Sequence, residues 1–260
     1  MVDTHTHIYM PDSFPDGGKT VVERAVDSGV GMMVLPGVDR ESVEPMISLY
    51  EQFPHNTALA FGLHPTEVEE DWKTELREIL DRGAEYPMVA IGETGIDLYW
   101  EKKYLHRQMD AFGEQIQIAA ERGLPVIVHS RDALEETVEV IRNFGSNLPP
   151  IVFHSFTAGR KEAERLLENA PEAFLGINGV ITFKNAEPLR DAIVNLDIDR
   201  IVTETDSPYL APVPHRGKIN ESANIPYIVK KLAELKGMTE EEMAQATHSN
   251  AMRLYPRLAP

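Results

Sequence analysis

The chain has 260 residues and no cysteine, and its 42 acidic residues outnumber its 25 lysines and arginines, giving a formal charge of −17. The absence of cysteine excludes disulfides, thiolate catalysis and zinc–sulfur sites, so a metal ion here would need His, Asp or Glu ligands. The charge argues against a generally basic nucleic-acid-binding surface, although bound divalent cations can reverse the field locally. The length fits one large domain.

The N-terminal residues, Met1 to His7, lack the basic and apolar regions of a signal peptide. No stretch of the chain approaches the roughly 18 consecutive apolar residues that a membrane helix needs. We therefore expect a cytoplasmic protein that does not bind membranes. Nothing in the sequence indicates an obligate protein partner.

Short apolar runs alternate with longer amphipathic stretches along the whole chain. The short runs are continuously apolar, as in parallel strands that are covered on both faces. We predict eight strands, which begin near Met1, Gly31, Thr57, Met88, Pro125, Pro150, Ala173 and Arg200.

Between these strands, apolar residues recur at spacings of three and four, which indicates amphipathic helices. Pro45 favours a later start for the first of them, and Thr239 followed by Glu242 predicts a capping box for the last helix of the chain. The clearest helical stretches are Arg40–Phe53, Asp71–Leu80, Gln108–Ala120, Ala133–Phe144 and Arg160–Leu167.

The spacing of the predicted strands points to a fold. Eight strand starts over about 200 residues give a unit of roughly 28 residues, as in a (β/α)₈ barrel of about 250 residues. A doubly wound open sheet is the alternative, but the chain has no G-x-G-x-x-G nucleotide fingerprint. We therefore expect a single-domain α/β protein, a TIM barrel over residues 1–260.

Side chains that can bind metal follow several of these strands. His5 and His7 end the first strand, and residues two apart on a strand point to the same side. Taken singly, each such residue could be a core histidine or a helix cap. Together they fall at the carboxyl ends of the strands, where barrel active sites are built. The six candidate ligands are His5, His7, Glu93, His129, His154 and Asp206.

Six candidates exceed the three protein ligands that are typical of a catalytic zinc. They can serve two ions if one carboxylate bridges. Two metal ions about 3.5–4 Å apart clamp the attacking and leaving oxygens of a displacement at phosphorus and supply hydroxide near neutral pH. We therefore expect two divalent cations, with magnesium, manganese and zinc as the candidates.

Three further residues are candidates for binding a substrate phosphate. His64 ends the third strand, Arg131 follows the fifth, and Arg216 lies just beyond the eighth. The planar fork of a guanidinium matches phosphate oxygens, although an ion pair at the surface is the alternative for either arginine. We do not expect Trp72 and Trp100 to form a platform for stacking bases.

The sequence also resembles a family, the TatD-like metal-dependent deoxyribonucleases of the amidohydrolase superfamily. The resemblance spans nearly the whole chain, in order. The matching segments are Asp3–His7, Gly62–Pro65, Gly92–Asp97, Pro125–Arg131, His154–Phe156, Glu204–Pro212, Arg216–Asn220 and Asn250–Leu254. The departures are small: Ser155 replaces a more frequent cysteine, and Glu221-Ser222 replaces an acidic residue followed by proline.

The resemblance implies a TIM barrel and a role for each candidate ligand. Glu93 would bridge the two ions, in the place where the wider superfamily often has a carbamylated lysine. Asp206 would also accept a proton from the attacking water, so Glu93 and Asp206 are the implied catalytic carboxylates. Glu204 either orients a ligating histidine or is a buried structural partner. The implied ligands are His5, His7 and Asp206 for one ion, and His129 and His154 for the other.

The implied activity is hydrolysis of phosphodiester bonds, by an exodeoxyribonuclease that acts on DNA ends through a binuclear centre. A hydrolase of a small ester, lactone or amide stays open, because the same ligands can polarise a carbonyl. A non-catalytic barrel that binds metal or a partner is the second alternative.

Overall fold

Eight parallel strands follow one another around a ring in the order of the chain. The computed structural model describes residues 1–100 and 102–258, so the predicted end of the domain at residue 260 lies outside the described part. The strands are β1 (Val2–Asp3), β2 (Met32–Pro36), β3 (Thr57–Phe61), β4 (Met88–Asp97), β5 (Val126–Arg131), β6 (Ile151–Phe153), β7 (Phe174–Ile177) and β8 (Ile201–Thr203).

Hydrogen bonds beyond the strand ladder join the last strand to the N-terminal segment that begins with the first. The amide of Thr4 donates to the carbonyl of Thr203 at 3.0 Å, and the Thr203 hydroxyl donates to the carbonyl of Val2 at 3.2 Å. The ring is thereby nearly closed, and the (β/α)₈ prediction is confirmed. All eight predicted strand starts fall within one residue of the observed ones.

Helices cover the outside of the ring. The first eight follow the strands with the same numbers, and the ninth packs near β8 and β1 at the C-terminal end of the chain. They are α1 (Lys19–Asp27), α2 (Arg40–Gln52), α3 (Trp72–Gly83), α4 (Leu105–Arg122), α5 (Leu134–Arg142), α6 (Arg160–Asn169), α7 (Glu187–Asn195), α8 (Ile225–Lys236) and α9 (Glu240–Leu254). No helix in the described ranges is long and apolar enough to cross a bilayer.

The start of α2 corrects one expectation. The helix begins at Arg40, where the helical periodicity begins, rather than a few residues later as Pro45 favoured, because a capping box fixes its first turn. The Asp39 carboxylate accepts from the amide of Ser42 at 2.7 Å, and the Ser42 hydroxyl accepts from the amide of Asp39 at 3.1 Å. These bonds outweigh the single backbone donor that Pro45 lacks. The capping box predicted for α9 at Thr239 is confirmed.

The barrel has two apolar cores. The larger lies between the strands and the outer helices, and the smaller fills the inside of the ring. Tyr255 and Leu258, which follow α9, belong to the inner core together with Val34, Ile127 and Val202. The C-terminal segment therefore closes the amino end of the barrel, and the polar interior side chains lie towards the carboxyl end.

Candidate metal centre

The alternation of side chains along the strands builds the centre. Ile127 and Val152 belong to the inner apolar core. Two residues further along the chain, His129 on β5 and His154 just after β6 point to the same side and stand one step closer to the carboxyl end. In the same way, Glu204 follows the inner-core residue Val202 by two positions and lies closer to the carboxyl end of the barrel. A layer of ionisable groups therefore lies directly on the apolar layer.

Glu93 lies at the middle of this layer and is almost fully buried. Its Oε2 atom is 3.2 Å from Nε2 of His5 and 3.5 Å from Nε2 of His7. Its Oε1 atom is 2.9 Å from Nε2 of His154 and 3.0 Å from Nδ1 of His129. The two oxygens of one carboxylate thus face two different pairs of histidines.

Asp206 lies on the Oε2 side of Glu93, beside the first pair of histidines. Its Oδ1 atom is 3.9 Å from Nε2 of His5 and 3.8 Å from Nε2 of His7. The Asp206 side chain is 13 % exposed, whereas that of Glu93 is 3 % exposed. Asp206 is therefore the carboxylate of this group that is more open to the barrel mouth.

A tyrosine sets the tautomer of the neutral His7 ring. The Tyr9 hydroxyl donates its one proton to the carbonyl of Pro36 at 2.6 Å, because that carbonyl can only accept. The Tyr9 oxygen therefore accepts from Nδ1–H of His7, which lies 2.9 Å away. With the proton on Nδ1, the lone pair of Nε2 points towards Glu93.

A carboxylate orients His129 in the opposite tautomer. Oδ2 of Asp97 lies 2.9 Å from Nε2 of His129 and accepts a hydrogen bond from Nε2–H. Nδ1 of His129 therefore faces Glu93. Oδ1 of Asp97 accepts from the backbone amides of Tyr99 and Trp100 at 2.9 and 2.7 Å, which fixes the carboxylate in this position.

Glu204 lies behind His154. Its Oε1 atom is 3.5 Å from Nδ1 of His154 and accepts from the backbone amide of Ser155 at 2.5 Å. The carboxylate fits only because β7 has Gly176 opposite, where a Cβ atom would lie 2.2 Å from Oε2 of Glu204. Glu204 is fully buried, and its contact with His154 fits an orienting role.

His64 differs from the other four histidines of the cluster. Its Nδ1 atom accepts from the backbone amide of Thr66 at 3.2 Å, so the proton of the neutral ring is on Nε2. Nε2 lies 3.4 Å from Oε1 of Glu93. His64 therefore presents a hydrogen-bond donor to the centre, which suits an anionic substrate oxygen better than a metal ion.

The ionisable groups of this layer shift one another's pKa values. Burial would raise the pKa of Glu93, but His154, His64 and His5 hold it well below the usual value. Burial would lower the pKa of His154, yet Glu93 and Glu204 raise it well above normal. Burial, with repulsion from His154, lowers the pKa of His5, whereas burial raises the pKa of Asp206 to about 6. The cluster attracts positive charge to its middle.

The nitrogen and carboxylate oxygen atoms of this layer suit divalent cations as ligands. In the neutral rings, Nε2 of His7 and Nδ1 of His129 are the unprotonated nitrogens and both face Glu93, so a bound cation or a shared proton is needed between these acceptors. Three sets of ligand atoms within 4.8 Å of one another occur in the described residues. They are His5, His7 and Asp206; His5, Glu93 and His154; and His64, Glu93 and His129.

Comparison with known proteins gives the family. Residues 2–256 match the family model described as TatD related DNase. The chain is 34 % identical over 255 residues to the metal-dependent hydrolase YabD of Bacillus subtilis, covering 98 % of each chain. This chain belongs to the TatD family. It is also 35 % identical over 241 residues to the 3'-5' ssDNA/RNA exonuclease TatD of Erwinia tasmaniensis, covering 90 % of this chain and 92 % of that one.

The fold agrees with a solved TatD structure. The TatD homologue YJJV of Escherichia coli superposes with a TM-score of 0.89 at 28 % identity, covering 98 % of both chains. The protein is thus a TatD-family metal-dependent hydrolase. The metal-dependent relatives and the clustered ligand atoms together support the use of a divalent metal.

The two arginines that sequence analysis selected in this TatD-family barrel both lie on aromatic rings. The guanidinium carbon of Arg131 is 3.9 Å from the ring centroid of Tyr99, and that of Arg216 is 4.4 Å from the ring of Phe183. Neither arginine forms an ion pair with a carboxylate among residues 1–100 and 102–258. The surface ion pair that was the alternative for each is therefore not formed in this part of the chain.

Two residues that contact the cluster, Tyr9 and Asp97, have no role predicted from the sequence. Tyr9 continues the alternation of His5 and His7 by one more step, which was the available signal. Asp97 closes the family segment Gly92–Asp97, but nothing in its spacing shows that it reaches His129. Both act by holding a histidine rather than by facing the pocket.

Proposed function

We propose that this TatD-family protein is a phosphodiesterase that removes nucleotides from an end of DNA with two divalent cations at Glu93. The observation that carries the proposal is the division of the histidines between the two oxygens of that one carboxylate. The relative from Erwinia tasmaniensis, named a 3'-5' ssDNA/RNA exonuclease, supports the choice of nucleic acid as substrate.

Each cation would have its own ligands and share Glu93. Asp206 belongs with the first group, because its Oδ1 atom is within 4 Å of both of that group's histidines. The imidazole ligands suit zinc, and the carboxylate ligands suit manganese and magnesium. The ligands would be His5, His7 and Asp206 on one side, and His129 and His154 on the other.

Bound cations in such a centre polarise the phosphoryl group and lower the pKa of a water molecule. Asp206 would take the proton that this water releases, because it is the ligating carboxylate that reaches the open mouth. Glu93, buried among histidines, would hold its charge in place through the reaction. Glu204, behind His154, would keep that ring in position.

The substrate phosphate would be held by donors on the rim. His64 offers Nε2–H from the interior, and Arg131 and Arg216 offer guanidinium groups from the exposed edge. The aromatic ring beneath each guanidinium holds it in position, and no carboxylate in the described part of the chain competes with a substrate phosphate for its N–H groups. The overall charge of −17 opposes a broad grip on DNA, so binding would be local and dependent on the cations.

Metal analysis coupled to a nuclease assay tests the proposal. The purified protein is stripped with chelator, reloaded with manganese, magnesium or zinc, and incubated with DNA labelled at either end. The panel also holds RNA and small esters, lactones and amides. We expect stepwise removal of nucleotides from DNA only in the reloaded protein.

Two results would contradict it. Turnover of a small ester, lactone or amide without cleavage of DNA would favour a different hydrolase on the same centre. Metal binding without turnover of any substrate would favour a non-catalytic barrel. His106→Ala, on the exposed face of α4, is the matched control for a histidine change outside the centre.

A further inference from the structure

An exposed aromatic pair lies at the end of β4, beside the metal centre. Tyr99 is 52 % exposed and Trp100 is 69 % exposed. Their ring centroids are 4.7 Å apart and the rings stand at 87° to each other. The guanidinium carbon of Arg131 lies 3.9 Å from the Tyr99 centroid and 5.5 Å from the Trp100 centroid.

This surface, formed by Tyr99, Trp100 and Arg131, is held by the same carboxylate that holds a candidate ligand. Oδ1 of Asp97 accepts from the backbone amides of Tyr99 and Trp100, while Oδ2 accepts from His129. Asp97 is fully buried and has all of these bonds at 2.7–2.9 Å. The position of the aromatic pair is therefore tied to the position of the centre.

The surface is also close to the centre. Arg131 follows His129 by two residues on β5, so both side chains leave the strand on the same side. Two residues of a strand span roughly 7 Å. A ligand whose phosphate lies at the histidines can reach this surface with the next group along its chain.

We propose that this surface stacks an unpaired nucleobase of the DNA strand whose phosphodiester lies at the metal centre. The proposal rests on the proposed function and names the form of its substrate. An exposed indole face offers the apolar, polarisable area on which any base can stack, and the neighbouring guanidinium adds a positive charge for the backbone. A base inside a duplex is already paired and stacked, so the surface favours single strands and frayed ends.

This proposal departs, for Trp100, from the expectation that neither tryptophan belongs to a stacking platform. Trp72 is buried at 5 % exposure, as a structural residue of α3. Trp100, in contrast, lies beside an arginine that is 31 positions away in the sequence, so a local search for basic neighbours does not find it.

An abasic substrate series tests the proposal. The substrates are a single-stranded oligonucleotide and versions of it with one base removed at the first, second or third position from the cut end. Each abasic version keeps every phosphodiester of the intact strand and lacks only one base. For the wild type we expect kcat/KM to fall about 5- to 150-fold when the stacked base is removed, mainly through KM.

The variant Trp100→Ala should lower kcat/KM on the intact strand by a similar factor and should no longer distinguish the intact from the abasic strand. Trp100→Phe, which keeps a ring, should restore most of the discrimination. The matched control is Tyr86→Ala, which removes an aromatic ring that also lies on an arginine, Arg82, but before the start of β4 at the other end of the barrel. The Tyr86→Ala variant should show the same ratio of kcat/KM between the intact and the abasic strand as the wild type.

The outcomes separate the two proposals. If the wild type cleaves the intact strand and Trp100→Ala keeps full discrimination against the abasic strand, the stacking surface is wrong and the nuclease stands. If the loaded wild type cleaves no strand of the series, the proposed function fails and the base-stacking role fails with it. Loss of discrimination in Tyr86→Ala would also overturn the assignment to Trp100.

Discussion

The hydroxyl oxygen of Tyr9 lies 2.9 Å from Nδ1 of His7 and donates its own proton to the carbonyl of Pro36. A single phenol thereby decides which nitrogen of His7 is bare. The candidate centre depends on such contacts behind its histidines as much as on the histidines themselves.

Tyr9→Phe removes the acceptor for Nδ1–H of His7 and leaves the ring free to take the other tautomer. We expect metal affinity to fall roughly 10- to 100-fold, with the fold intact. Calorimetric titration with zinc or manganese measures it. Tyr255→Phe is the matched control, since it removes a buried hydroxyl that contacts the carbonyl of Thr4. Equal affinities in both variants would contradict the role of Tyr9.

Glu93→Gln keeps the shape of the side chain but removes the charge that faces the two pairs of histidines. His129→Ala removes one candidate metal ligand, the one that faces Oε1 of Glu93. We expect each variant to lose at least one ion and nearly all hydrolysis. Metal content by mass spectrometry and initial rates on single-stranded DNA are the measurements. Full activity with unchanged metal content in either variant, judged against His106→Ala, would show that the two-ion arrangement is wrong.

Gly176→Ala would place a Cβ atom 2.2 Å from Oε2 of the buried Glu204. Moving that carboxylate disturbs its contact with His154, and overpacking of this kind costs about 1–3 kcal/mol of the free energy of unfolding. Urea unfolding measures the loss. Gly113→Ala on α4 is the control, because its Cβ atom would lie 3.9 Å from Val140 and alanine favours a helix by roughly 0.5–1 kcal/mol. A Gly176→Ala protein as stable as the wild type would contradict this packing.

Chelation should lower the thermal stability of the protein. A ligand at about 100 times its Kd stabilises the folded state by about 2.7 kcal/mol, which corresponds to a rise in Tm of roughly 5–10 °C for a domain of this size. Scanning calorimetry with and without added manganese measures the difference. An unchanged Tm at saturating manganese would mean that the cluster is not a tight metal site.

The fold was predictable because its signals are local. Continuous apolar runs such as Val126–Val128 are typical of buried parallel strands, and each predicted start lies within one residue of the observed strand. The grouping of the metal-capable residues at one rim followed from the same pattern, since the carboxyl ends of all strands in a barrel lie at one end. Only the later start that Pro45 favoured for α2 was wrong, because the cap at Asp39 and Ser42 fixes the first turn at Arg40.

The contacts behind the centre were not predictable, because they join residues that are distant in the sequence. Nothing near Asp97 shows that it holds His129, which is 32 positions later. The tautomer of His64 depends on the backbone amide of Thr66, and it separates His64 from the other histidines of the cluster. Such roles follow from hydrogen-bond geometry, which a residue pattern does not contain.

Counting the metal ions tests the central claim most directly. The wild-type chain and Glu93→Gln are equilibrated with saturating manganese, freed of unbound metal, and analysed for metal per chain alongside hydrolysis of single-stranded DNA. The two-ion centre predicts two ions per wild-type chain and fewer in the variant, with hydrolysis lost in parallel. One ion per chain in a fully active wild type, or two in an active Glu93→Gln protein, would contradict it.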